Sequence, residues 1–188
     1  MESRKIRTLV ECAMMLALAS ILAVIPVIKL PYGGSVTFAS MVPIVLISFR
    51  HGIKWGALTS AAFALFQIMS GFYPPPTRTF GYFVLVVLLD YVIAFGVLGF
   101  AKLGTKVFKN KTLGVAFGSF AVTLLRYACH FGSGMLVWHV YADEGQPIWA
   151  YSLAYNGSYM IPEIILTTIV ATLLYKVVES IGSKKTVS

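Results

Sequence analysis

Arg126, His130 and Trp138 fall within one apolar stretch, Leu124 to Trp138. Charge inside such a stretch is costly and needs a purpose. At about 100° per residue, Arg126 and His130 stand roughly 40° apart on a helix, one above the other, and Trp138 follows roughly 80° from His130 and two turns on. A guanidinium, an imidazole and an indole therefore line one broad stripe. Asp90 is the acid that could answer it. It lies roughly 15 Å below one end of its own apolar run, and Arg126 roughly 20 Å from the opposite end of its run, so both sit near mid-depth. Intramembrane ionisable residues face the interior and pair, which makes Asp90 with Arg126 the expected ion pair. A helix clamp and a ligand site are equally open readings of that pair alone.

The neighbours favour a ligand site. Tyr91 adjoins Asp90, and Tyr151, Tyr155 and Asn156 open a later apolar run from the same side as Trp138. Together they describe a cup with aromatic walls and an acid near its floor. Aromatic faces attract cations, the carboxylate supplies counter-charge, and an asparagine can serve a ring amine and a ring nitrogen at once. A flat, cationic, water-soluble ligand fits that chemistry. Glu163 is a second mid-depth acid, either a rival partner for Arg126 or a residue facing another subunit. Asn156-Gly157-Ser158 matches a glycosylation sequon, but at a membrane boundary it reads as site and packing residues.

The elements that must hold these residues follow from composition. The chain has 188 residues, 58% hydrophobic and only 12% charged; its mean hydropathy is +0.82. A soluble domain carries about 25% charged residues. The expected fold is all-α, a polytopic integral membrane protein forming one domain over 1–188. Six apolar runs are expected to span: Thr8 to Ile28, Val36 to Phe49 (short, with Pro43 inside), Ile53 to Ser70, Phe80 to Ala101, Thr112 to Val140 and Trp149 to Lys176. The basic start before the first run reads as the cytoplasmic flank of a retained span rather than a cleaved signal. A turn, KLPYGGS, follows the first run, and the stiff loop GFYPPPTRT separates the third from the fourth. The net charge of +8 does not point to nucleic acid, because its basic residues sit in loops. Arg4, Lys5, Arg7, Arg50, Lys54, Lys102, Lys106, Lys109, Lys111, Lys176, Lys184 and Lys185 fall on one side; only Lys29 and Arg78, with the acidic Asp143 and Glu144, fall on the other. The positive-inside rule then places both termini in the cytoplasm and the cup outside.

Catalytic readings are weak. Ser133 lies between Gly132 and Gly134, three residues after His130, but small residues at helix contacts favour close packing, and no second histidine at matching depth completes a protease dyad. His51 falls in a cytoplasmic turn and His139 at the outer boundary. No phosphate-binding G-x-x-x-x-G-K-[ST] run is present, so this chain does not itself use ATP. Cys12 and Cys129 sit in apolar runs and read as buried apolar residues; no cysteine/histidine spacing suggests a metal. Ala13 and Ala17 on the first span form a small-residue face, for internal packing or for a partner.

The stretch Leu125-Arg126-Tyr127-Ala128-Cys129-His130-Phe131-Gly132-Ser133-Gly134, then Trp138, then Tyr151-Ser152-Leu153-Ala154-Tyr155-Asn156-Gly157, resembles the thiamine-specific S components of energy-coupling factor transporters, the ThiT/YuaJ family. Leu89-Asp90-Tyr91-Val92, Gly33-Gly34-Ser35 and the block Pro43 to Arg50 extend the resemblance over nearly the whole chain. It implies a non-enzymatic, membrane-embedded protein of the cell membrane that captures thiamine with high affinity and carries no cofactor. Its partners would be a transmembrane coupling subunit and two cytoplasmic ATPases. It implies Asp90, Tyr91, Arg126, His130, Trp138, Tyr151 and Asn156 as the thiamine site, and Ala13 and Ala17 as the docking patch for the coupling subunit. There are departures. Some members have Glu for Asp90 and Lys for Arg126, and the first outer loop carries Gly33-Gly34 where others have Trp, leaving Tyr32 as the nearest aromatic. Two alternatives stand beside this reading: a stand-alone secondary transporter coupled to protons through Asp90, Arg126 and His130, and an S component for a thiamine precursor or another vitamin.

Overall fold

The computed structural model describes residues 2–184; Lys185 and the end of the tail lie outside the described residues. Six helices form it. Helix α1, Glu2–Val24, is apolar on almost every face. It stops four residues short of the expected Ile28, because Pro26 cannot donate into a helix. The chain instead enters strand β1, Pro26–Lys29, which pairs antiparallel with β2, Ser35–Thr37. Between them Tyr32 (φ 63°) and Gly33 (φ 98°) turn the hairpin in the left-handed region. The second expected span is thus divided: β2 leads through residues 38–41 into α2, Val42–His51, only ten residues long. At 1.5 Å per residue α2 covers roughly 15 Å, about half the hydrocarbon core, so hairpin and helix share that crossing.

Gly52 (φ 92°) reverses the chain into α3, Ile53–Gly71. Helix α4, Phe80–Lys106, follows the proline loop. It is α-helical to Val86, π-helical over Val87–Ile93, and winds tightly as a 3-10 helix over Val97–Lys106. The tight part has a visible cause. Buried Ser48 of α2 donates to the Gly99 carbonyl at 2.6 Å and accepts from the Lys102 amide at 3.1 Å, inserting a hydroxyl into the ladder. Helix α5, Lys111–Leu136, starts under an Asn110 cap that accepts from the Leu113 amide. It ends four residues before the expected Val140, and Trp138–Tyr141 forms a short 3-10 turn. Helix α6, Ile148–Lys184, contains Pro162 and continues past Lys176, the expected end of the sixth span.

Helices α1, α4, α5 and α6 are long and apolar enough to cross a membrane by themselves. The shared core is built by Met41, Ile44, Val45 and Phe49 from the second crossing against Phe63, Phe95, Leu98, Val115 and Val122. Large apolar side chains such as Met14, Leu65, Ile165 and Leu173 point outward, as lipid-facing surfaces require. At one end Glu11 ties α1 to the α2–α3 turn, accepting from Arg50 at 2.8 Å and meeting His51 at 2.7 Å. At the opposite end the hairpin, the proline loop and the 3-10 turn gather over a cavity.

Candidate functional site

The cavity has a volume of about 580 Å³, within the range of small-molecule sites. All seven residues proposed from the sequence line it: Asp90, Tyr91, Arg126, His130, Trp138, Tyr151 and Asn156. Its centre is the Asp90 carboxylate, carried on the π-helical part of α4. Such turns widen a helix locally and often mark functional positions. The Oδ1 atom meets His130 Nδ1 at 2.9 Å. The Oδ2 atom accepts from Ser133 Oγ at 2.6 Å and from Trp138 Nε1 at 3.0 Å.

The expected Asp90–Arg126 ion pair does not form. His130 stands between them: Arg126 Nε donates to His130 Nε2 at 3.2 Å, so Nδ1 carries the proton that goes to Asp90. The remainder of the guanidinium turns away from Asp90. Its Nη1 donates to the Met41 thioether at 2.8 Å, and its carbon lies 4.2 Å from the centre of the Phe95 ring. The physical reason is the side-chain direction on α5: successive turns place His130 above Arg126, so the shorter ring reaches the acid first. The Asp90 charge is therefore held by hydrogen bonds from neutral donors.

Ser133 was read from the sequence as a packing residue. It is fully buried, and besides binding Asp90 it accepts from Trp138 Nε1 at 3.1 Å. Its neighbour Gly134 does serve packing, since a Cβ there would stand 2.1 Å from Ser152 Oγ and 2.8 Å from Asn156 Nδ2. A serine three residues after His130 on a helix faces the same side, and that spacing was the available signal.

Tyr91 lines the cavity, but its hydroxyl is engaged in holding the proline loop. It accepts from the Tyr73 amide at 2.9 Å and donates to the Gly71 carbonyl at 3.2 Å. Asn156 is buried with its amide on Ser152 and its carbonyl oxygen accepting from Tyr159 at 2.7 Å. The Tyr151 hydroxyl is buried and has no hydrogen-bond partner among the described residues, an acceptor and donor available to a guest. Tyr151 stacks on Tyr155 at 5.9 Å with 15° between planes.

The mouth is aromatic. Tyr32 from the hairpin stacks on Tyr141 at 3.9 Å, Tyr141 lies parallel to Trp138 at 6.3 Å, and Tyr73 tilts against Trp138 at 5.7 Å. Burial, with Tyr73 and Tyr32 close by, pushes the Tyr141 phenol up, so its ring is uncharged at neutral pH. Tyr155 holds the hairpin down, accepting from the Gly34 amide at 3.1 Å and donating to the Pro31 carbonyl. Gly34 permits this approach: a Cβ would meet the Tyr159 ring at 2.8 Å. Tyr32, the aromatic residue nearest Gly33-Gly34, stands at the mouth. Cys12 is buried and Cys129 half-buried, both as free thiols. Among the described residues no group of three or more His, Cys, Asp or Glu side chains is placed to hold a metal.

A bundle of membrane-length helices with aromatic rings gathered over a hydrogen-bonded acid is the architecture of a solute-binding membrane protein. Comparison with known proteins makes the family specific. The chain belongs to the Thia_YuaJ family, described as thiamine transporter protein, whose model matches residues 9–182. It is 38% identical over 185 residues to the thiamine transporter ThiT of Bacillus subtilis, covering 93% of both chains. It is 26% identical over 196 residues to the thiamine transporter ThiT of Lacticaseibacillus paracasei, covering 94% of this chain and 90% of that one. The solved structure of ThiT from Listeria monocytogenes superposes with a TM-score of 0.72 at 21% identity, over 93% of this chain and 96% of that chain; it shares the fold. The chain is accordingly a multi-pass protein of the cell membrane.

Proposed function

We propose that this chain binds thiamine with high affinity from the outer side of the membrane and carries it inward as the substrate-capture subunit of an energy-coupling factor transporter. The observation that supports this most directly is the state of Asp90. Three donors hold the carboxylate, from His130, Ser133 and Trp138, and among the described residues no Lys or Arg side chain pairs with it. Three hydrogen bonds fix the orientation of the carboxylate, and hydrogen bonds to a charged group contribute about 1.5–3 kcal/mol each. Thiamine carries a cationic thiazolium and a neutral aminopyrimidine. The thiazolium suits a site where Asp90 provides counter-charge and Trp138 and His130 provide faces. The aminopyrimidine suits the unpartnered Tyr151 hydroxyl and the second lone pair of the Asn156 carbonyl oxygen.

In this reading ATP is consumed by two cytoplasmic partner subunits, and no cofactor belongs to this chain. Ala13 and Ala17 are exposed on α1, which suits close approach of a transmembrane coupling subunit there. Titrating the purified protein with thiamine while following tryptophan emission tests the proposal: Trp138 in the site predicts saturable quenching, lost in Trp138→Ala. Absence of both quenching and calorimetric binding would reject it.

One observation favours a second reading. The continuous chain Arg126–His130–Asp90 has the form of a proton relay, as a stand-alone proton-coupled transporter would need. Uptake by vesicles containing this chain alone, abolished when the proton gradient is collapsed, would select that reading over the first.

A further inference from the structure

Glu163 has no part in the site described so far, yet it is among the most deeply buried side chains, with 2% exposure. Its Oε1 accepts from the Thr37 amide at 2.5 Å and the Thr37 hydroxyl at 2.7 Å. Its Oε2 is buried without a partner. Thr37 closes β2, and four residues on, at the far end of the same connector, Met41 receives Arg126 Nη1. A thioether is a weak acceptor, so the arginine too has unfilled hydrogen-bonding capacity. The acid on α6 and the base on α5 therefore press on the two ends of the 37–41 connector. An uncompensated buried charge is costly, so a buried acid and a buried base pressing on the same connector each lower the cost of the other.

We propose that Glu163 sets the charge selectivity of the cavity: by offsetting Arg126 from behind the 37–41 connector, it leaves Asp90 as the uncompensated negative charge that a cationic ligand meets. This rests on the thiamine reading. Counted by formal charge, with His130 neutral, Asp90, Arg126 and Glu163 sum to one negative charge beneath the ligand. Without Glu163 the sum is zero, and Arg126 opposes the cation.

The test compares two probes in the full-length protein: thiamine, and a neutral isostere in which an uncharged five-membered ring replaces the thiazolium. Glu163→Gln retains an oxygen to accept from Thr37, so it removes the charge while keeping the hairpin anchored. Its thiamine affinity should fall about tenfold and its isostere affinity less than about twofold, as expected for loss of one charge at intermediate range. Thr37→Val breaks the anchor but keeps the charge, and should weaken both probes alike. Glu163→Asp keeps the charge and should preserve the thiamine-to-isostere ratio within about twofold, even if Glu163→Gln does not fold. An unchanged ratio in folded Glu163→Gln, or a ratio in Glu163→Asp that falls by tenfold, overturns the proposal while thiamine binding by the wild type stands. No thiamine binding by the wild type removes the thiamine reading and this inference together.

Discussion

The Ser133 hydroxyl joins two walls of the cavity. It donates to Asp90 and accepts from Trp138, while the same indole also donates to Asp90. Removing it frees one carboxylate lone pair and one edge of the ring, so its effect on a ligand must pass through Asp90. Ser133→Ala should weaken thiamine binding about ten- to a hundredfold, the range for one hydrogen bond to a charged group. In an Asp90→Asn background the same change should cost less than about twofold, because coupled residues are non-additive. Isothermal titration of the four proteins completes the cycle, and additive losses would reduce Ser133 to a packing residue. Asp90, Arg126, His130 and Asn156 stand out in the sequence because charged, imidazole and amide groups are conspicuous in apolar runs, whereas Tyr91, Trp138 and Tyr151 are picked out by their neighbours and by the family resemblance. The wiring is not legible there. A helical wheel extended to Trp138 describes a helix that actually stops at Leu136, and reach decides that His130, not Arg126, touches the acid.

Among the elements, the hairpin was the least visible. A ten-residue helix preceded by a strand has the same apolar composition as one oblique span, so Val36 to Phe49 concealed the division. What breaks the pattern is local: Pro26, and the left-handed turn at Tyr32 and Gly33. The hairpin matters because it supplies Tyr32 to the mouth and Thr37 to Glu163. Its hold on α6 depends on Gly34 lying against Tyr159 and Tyr155. Gly34→Ala forces a methyl group into that contact, and overpacking of this kind costs about 1–3 kcal/mol. Since the hairpin packs at the margin of the core, the cost should fall on closure of the mouth. The expected result is thiamine release accelerated about tenfold or more in stopped-flow fluorescence, with the melting temperature of the unliganded protein nearly unchanged. A large drop in melting temperature with unaltered release would show that Gly34 supports the fold rather than the mouth. The π-helical part of α4 was equally hidden, because the turn that places Asp90 leaves no mark in composition or periodicity.

For the whole molecule, fold class was the most legible property, since sparse charge, long apolar runs and basic loops each report on it independently. The structure supports the same division of ends. Tyr32, Tyr73, Trp138 and Tyr141 meet at the cavity, whereas Glu11, Arg50 and His51 meet at the other end. The lysine-bearing turn between α4 and α5 belongs with the second group, because Lys102 reaches to within 3.9 Å of a Cβ built at Gly52. Cytoplasmic retention of Lys and Arg then sets the cavity on the outside. Capture from the medium requires that orientation, so it can be examined apart from any ligand. In intact cells a membrane-impermeant maleimide should label Gln146→Cys, in the loop between the 3-10 turn and α6, without permeabilisation. Lys109→Cys, in the turn between α4 and α5, should react only after the membrane is opened. Cys12 is buried and Cys129 half-buried within helices, so both should contribute little background, and replacing each with alanine removes what remains. The reverse pattern would turn the cavity toward the cytoplasm and exclude uptake by capture from outside, even if thiamine bound the purified protein.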